Sequence, residues 1–69
     1  MHRFLVVIEK ADGNYSAYCP DLPGCIATGD TYEEAEVFMH EALKLHLEGL
    51  QEDGLPVPEP TAHAEYMAI

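Results

Sequence analysis

The hydrophobic pattern opens with Phe4-Leu5-Val6-Val7-Ile8, a run in which both alternating sets are apolar, followed by Glu9 and Lys10. A short run of β-branched and aromatic types predicts a strand over Phe4–Glu9 that is covered on both faces. The bulkier set, Phe4, Val6 and Ile8, is assigned to the core; Arg3, Leu5, Val7 and Glu9, charged at both ends, form the other face. Ala11-Asp12-Gly13-Asn14 supplies residues that tolerate positive φ, so the chain is expected to turn back as a hairpin. In the return strand, Tyr15–Cys19, alternation sets Tyr15, Ala17 and Cys19 against Ser16 and Tyr18. Pro20-Asp21-Leu22-Pro23-Gly24 cannot continue a sheet interior, because two prolines withhold backbone donors. Cys25–Thr28 is short but suits a third antiparallel strand, ended by Gly29 and Asp30.

At Thr31 the period changes from 2 to 3.6. Thr31-Tyr32-Glu33-Glu34 has the spacing of a capping box, with the Thr31 hydroxyl accepting from the Glu34 N–H and the Glu34 side chain reaching back to the Thr31 N–H. A helix is expected from Tyr32 to about Asp53, stopped by Gly54 and Pro56. Helical spacing places Ala35, Phe38, Met39, Ala42, Leu43, His46, Gly49 and Leu50 on one stripe that covers the sheet. Gly49 on that stripe implies a close approach to a strand, and His46 is expected as a hydrogen-bonded core residue. Val37 and Leu47 fall off the stripe, which makes them candidate contacts to another chain. Leu55-Pro56-Val57-Pro58-Glu59-Pro60 reads as an extended connector. Ala62–Ile69 follows as a short fourth strand at the sheet edge. The expected class is therefore α+β, one domain over residues 1–69 in the order β-β-β-α-β, with a three-stranded meander and one helix on one face.

Composition narrows the function. With 3 Lys plus Arg against 13 Asp plus Glu, the net charge is −10. Nucleic-acid binding draws its affinity from basic side chains, and only Arg3, Lys10 and Lys44 are present, so direct binding of DNA or RNA is not expected. The same charge suits a basic protein partner, since opposite fields speed encounter and reject wrong partners. The longest apolar run is five residues, far from the roughly 20 that cross a bilayer, and Met1-His2-Arg3 does not begin a signal peptide. A cytoplasmic location is expected. At 69 residues the core is small, which favours association with another chain; a dimer or higher homo-oligomer is expected.

Catalytic and metal chemistry find little support. His40-Glu41 begins like a zinc-protease motif, but position 44 holds Lys44. Cys19 and Cys25 are separated by five residues, a spacing of neither a zinc ribbon nor a redox dithiol, and are expected as buried thiols. There is no nucleophile elbow and no glycine-rich phosphate loop. No enzyme activity, metal or cofactor is expected.

Three stretches in order, the Pro20–Cys25 run PDLPGC, the Thr28–Ala35 run TGDTYEEA and the Glu52–Pro58 run EDGLPVP, resemble the HicB antitoxin family across nearly the whole chain. The resemblance implies a cut-down ribonuclease H-like fold whose last strand lies parallel to the first. It also implies a partner: members of the family inhibit HicA, a small basic ribonuclease toxin, by covering its catalytic surface. Many members carry a carboxy-terminal DNA-binding segment; the sequence to Ile69 resembles the short form without one. Two surfaces are candidates for the partner. One is the loop Pro20, Asp21, Leu22 and Pro23, held rigid by its prolines; the other is the outer sheet face with Leu5, Val7 and Tyr18. The alternative function is a stand-alone homo-oligomeric module without a toxin and with an unknown ligand.

Overall fold

The computed structural model of the chain describes residues 2–69. Three strands, β1 (Val7–Ala11), β2 (Asn14–Tyr18) and β3 (Ile26–Gly29), form an antiparallel sheet in the order β1-β2-β3, and one helix, α1 (Tyr32–Glu52), follows. This is the expected α+β meander with its helix. The hairpin turns through Asp12 and Gly13 with Ala11 opposite Asn14, and the positive φ falls on Gly13 alone. The first strand begins three residues later than expected. Tyr18, the last residue of β2, pairs with Val7; beyond it the chain leaves the sheet at Pro20, so Phe4–Val6 have no backbone to pair with.

Register decides the faces. Val7, Tyr18 and Ile26 lie in one cross-strand row, and Ile8, Ala17 and Ala27 in the next, on the opposite side of the pleat. The second row faces the helix: Ala17, Cys19, Leu22, Cys25 and Met39 form the buried cluster, with Phe4, Val6, Ile8, Ala27, Ala42, Leu43 and Leu47 packed around it. Phe4, Val6 and Ile8 are thus inward as expected.

The helix keeps its expected stripe except at one edge: Ala42, Leu43, His46, Gly49 and Leu50 are half-buried as the stripe requires. Ala35 and Met39 are buried and Leu47 packs on the core, whereas Phe38 is 50% exposed. On that side Phe4, with His2 stacked on it at 6.3 Å, packs on the core together with Leu43 and Leu47 and lines a cavity with them. Leu47 is therefore half-buried within its own chain rather than wet, while Val37 is exposed. His46 is half-buried at the margin and not enclosed.

Both helix ends are locally encoded. The Thr31 hydroxyl accepts from the Glu34 N–H at 3.1 Å; the Glu34 carboxylate accepts from Asp30 N–H at 2.9 Å, one residue earlier than the expected reciprocal bond. At the far end Gly54, with φ of 69°, donates to Gln51 O, and Leu55 donates to Leu50 O, the paired bonds of a Schellman ending. The tight glycine is Gly29, not Gly49. A Cβ at Gly29 would lie 2.5 Å from the Ala35 nitrogen and 2.8 Å from Glu34 Cβ, whereas nothing stands within 4 Å of one at Gly49.

The expected fourth strand is not formed. Ala62–Ile69 carries no strand pairing, although Ala64–Tyr66 face Leu5–Ile8 across a cavity of about 410 Å³. The segment passes the start of β1 but stands off the sheet. The radius of gyration, 13.2 Å, exceeds the ~11 Å of a compact chain of this length, in keeping with a projecting tail.

Candidate functional site

The loop after β2 is shaped from within. Leu22 N–H donates to Cys19 O at 3.2 Å, Cys25 N–H to Leu22 O at 3.1 Å and Cys19 N–H to Cys25 O at 3.3 Å, and Gly24 takes φ of 83° to complete the return. These bonds turn the Leu22 side chain into the core, where it is 1% exposed. Leu22 is one of the two largest fully enclosed side chains, with Met39. It is an anchor, so the expectation that it touches a partner is corrected. Burying a leucine there is worth roughly 1.5–3 kcal/mol, and it leaves Pro20 and Pro23 exposed on the rim.

Asp21 is engaged within the chain. Its carboxylate accepts from the Thr61 N–H at 3.2 Å, the Thr61 hydroxyl at 3.1 Å and the Ala62 N–H at 3.4 Å. Desolvation pushes its carboxyl up, but the three hydrogen bonds to the ionised form together outweigh it and hold the group below its ordinary value. The spacing of 40 residues between the partners leaves no signature in a linear reading. Asp21 is thus a clamp on the segment that follows the proline connector.

The outer face of the sheet is open. Leu5 and Val7 are half-buried, and Tyr18 is 39% exposed. Ile26, opposite Tyr18 on β3, is 67% exposed. Ile26 was not among the expected contact residues. Its signal was the alternation of Cys25 and Ala27 inward against Ile26 and Thr28 outward, once the strand is started one residue later. Val7, Tyr18 and Ile26 form an apolar row at the end of the sheet beside Pro20, and Glu9, Ser16 and Thr28 form a polar row behind it. Such an arrangement offers a partner shape and apolar area on a rigid support; it holds no reacting groups. Val37 lies on the helix, apart from this face, and Leu47 is half-buried against the core of its own chain.

The thiols of Cys19 and Cys25 are both buried. Burial pushes the Cys25 thiol up, and the neighbouring Cys19 adds to the shift. Among the described residues no three of His, Cys, Asp and Glu converge as a metal site, and no helix is long and apolar enough to cross a membrane.

Residues 4–69 match the family described as HicB-like antitoxin of bacterial toxin-antitoxin systems. A UPF0150 protein of Synechocystis is 43% identical over 60 residues, which cover 86% of this chain and 76% of the relative. A UPF0150 protein of Thermoplasma acidophilum is 34% identical over 61 residues, 87% of this chain and 88% of that one. An uncharacterised protein of Haemophilus phage HP1 is 37% identical over 62 residues, 90% of this chain but 47% of its own length, so the chain spans about half of that relative. No solved structure matches. The family match runs through all three strands, the helix and the segment that Asp21 clamps, and the chain belongs to the HicB-like antitoxin family.

Proposed function

We propose that this chain is a protein-binding antitoxin module that inhibits a small basic toxin, of the HicA-like ribonuclease kind, by docking its outer sheet face on it. The observation that carries the reading is an open apolar row, Val7, Tyr18 and Ile26, on a chain of net charge −10 from an antitoxin family. Charge steers the encounter, and the rigid row with Leu5, Pro20 and Pro23 at its end supplies contact at little cost in ordering. Six exposed or half-exposed side chains would be too few for a tight interface without an aromatic anchor; Tyr18 is that anchor.

Co-expression with a basic HicA-like protein encoded beside it tests this. A complex should form that weakens as salt rises, and RNA cleavage by the toxin should stop when the complex forms. Ile26→Glu should reduce affinity at least about tenfold while the chain stays folded, because Ile26 points to solvent. A folded chain that neither binds nor silences such a neighbour rejects the proposal. A specific observation supports the stand-alone reading as second: large apolar side chains are exposed on the tail as well as on the sheet, and these suit self-association.

A further inference from the structure

We infer that the cavity between β1 and the tail is a socket for an arginine side chain of a basic partner protein, with Glu65 as its counter-charge and Tyr32 and Tyr66 as its aromatic walls. The inference rests on the reading that the outer sheet face docks such a partner, and names the group by which the partner is held. The cavity measures about 410 Å³ and is lined by Leu5–Ile8, by Tyr32 at the start of α1 and by Ala64–Tyr66 of the tail. Its volume falls within the roughly 300–1,000 Å³ of sites that take a small ligand, so one long side chain fits. Val7 belongs both to this wall and to the apolar row of the outer face, which makes the cavity continuous with the docking surface.

Each part of the wall comes from a different stretch of the chain. The strand side supplies Leu5 and Val7, apolar surface of the kind that covers the methylene stem of a long cationic side chain. Tyr32 packs at right angles to Tyr15, with ring centroids 6.4 Å apart, and is still 47% exposed. Its ring is therefore placed but not covered. The tail supplies Glu65 and the fully exposed Tyr66. Asp21 holds Thr61 and Ala62, so the tail's path past β1 starts from a fixed point.

The occupant follows from charge and ring chemistry. Among the described residues Glu65 is the one charged side chain on the wall. Glu9 follows two residues after Val7 on the same face of β1, and the chain as a whole carries −10, so an anion is repelled and a cation drawn in. Arg3 and Lys10, the chain's own cations on either side of this stretch, are exposed and do not line the cavity. Among cations, a guanidinium suits these walls better than an ammonium: it is flat, weakly hydrated, stacks on an aromatic ring and makes two parallel bonds to one carboxylate. A small free cation would leave the apolar wall of Leu5 and Val7 wet, whereas the stem of an arginine covers it.

The test is a titration of the full chain followed by amide chemical shifts. The probe is the capped tripeptide Ala-Arg-Ala, with Ala-citrulline-Ala, its uncharged counterpart of the same shape, beside it. The arginine peptide should give saturable shifts confined to residues 5–8, 32 and 64–66, and should bind at least about tenfold more tightly than the citrulline peptide. Glu65→Gln should remove that difference, and Tyr66→Ala should weaken arginine binding; both lie on the exposed tail, away from the core. Equal binding of the two peptides, or arginine shifts spread over the acidic face of α1, overturns the inference, since net charge alone then accounts for the attraction. In the complex with a basic HicA-like neighbour, Glu65→Gln should lower affinity at least about tenfold. A complex that tolerates Glu65→Gln but is lost with Ile26→Glu overturns the inference and leaves the docking reading in place. Arginine held in the cavity by a chain that binds no basic neighbour rejects the docking reading instead, and supports the cavity as a guanidinium site.

Discussion

Gly29 and Gly49 differ in what surrounds the hydrogen that a side chain would replace. At Gly29 the Ala35 nitrogen and the Glu34 Cβ already occupy the space, and both belong to the first turn of α1. Gly29→Ala must therefore move the start of the helix away from β3, and should cost about 2 kcal/mol, within the range of overpacked cores. Gly49→Ala meets nothing and should instead stabilise by roughly 0.5–1 kcal/mol, because alanine restricts the unfolded chain and favours the helix. Urea midpoints of the two variants check the pair; shifts of the same sign would show that the β3–α1 contact is misplaced. Cys25 gives a second expectation at this scale. Burial, with Cys19 beside it, pushes its thiol up, so the nucleophilic thiolate is scarce at neutral pH. Alkylation of the native chain should run at least about a hundredfold slower than in urea, and equal rates would show the thiol to be open to solvent.

What was legible at the level of elements was local. The hairpin at Gly13, the Thr31 cap and the Gly54 ending each depend on a few adjacent residues, and all three lie where the sequence places them. Phase and pairing were less legible, because they depend on distant segments. Phe38 and Leu47 differ by their place around α1, and Leu47 packs on the core in company with Phe4, a residue far away in the sequence. Leu22 reads as a loop residue, and only the three backbone bonds around it show that it faces inward. The tail is the extreme case, since its anchor is a carboxylate 40 residues away. That anchor has a pH dependence of definite sign. The folded Asp21 carboxyl lies below its unfolded value of 3.8, so its contribution is complete above that value and is lost as pH falls through the folded one. The Thr61 and Ala62 amides should thus keep their native chemical shifts as pH falls past 3.8 and lose them only when it passes through the lower, folded value. Asp21→Ala should give the released shifts at every pH, and a variant that leaves them unchanged would show that the clamp is idle.

Across the whole molecule, charge and thinness act together. Glu33, Glu34, Glu36, Glu41, Glu48 and Glu52 all lie exposed along α1, and the body measures 41 × 29 × 19 Å, so like charges repel over distances that salt can screen. The melting temperature should rise with sodium chloride, and a fall would mean that favourable ion pairs outweigh the repulsion. Leu22 and Met39 are the largest side chains that the fold encloses completely. A core of this size supplies roughly 3–5 kcal/mol, which leaves about one molecule in a hundred to one in several thousand open at any moment. An unaccompanied chain is therefore within reach of cellular proteases, and any partner that binds only the closed form lengthens its life in proportion to occupancy. The two enclosed side chains thus make turnover a readout of company: the amount of this protein in a cell should follow how much of it is bound.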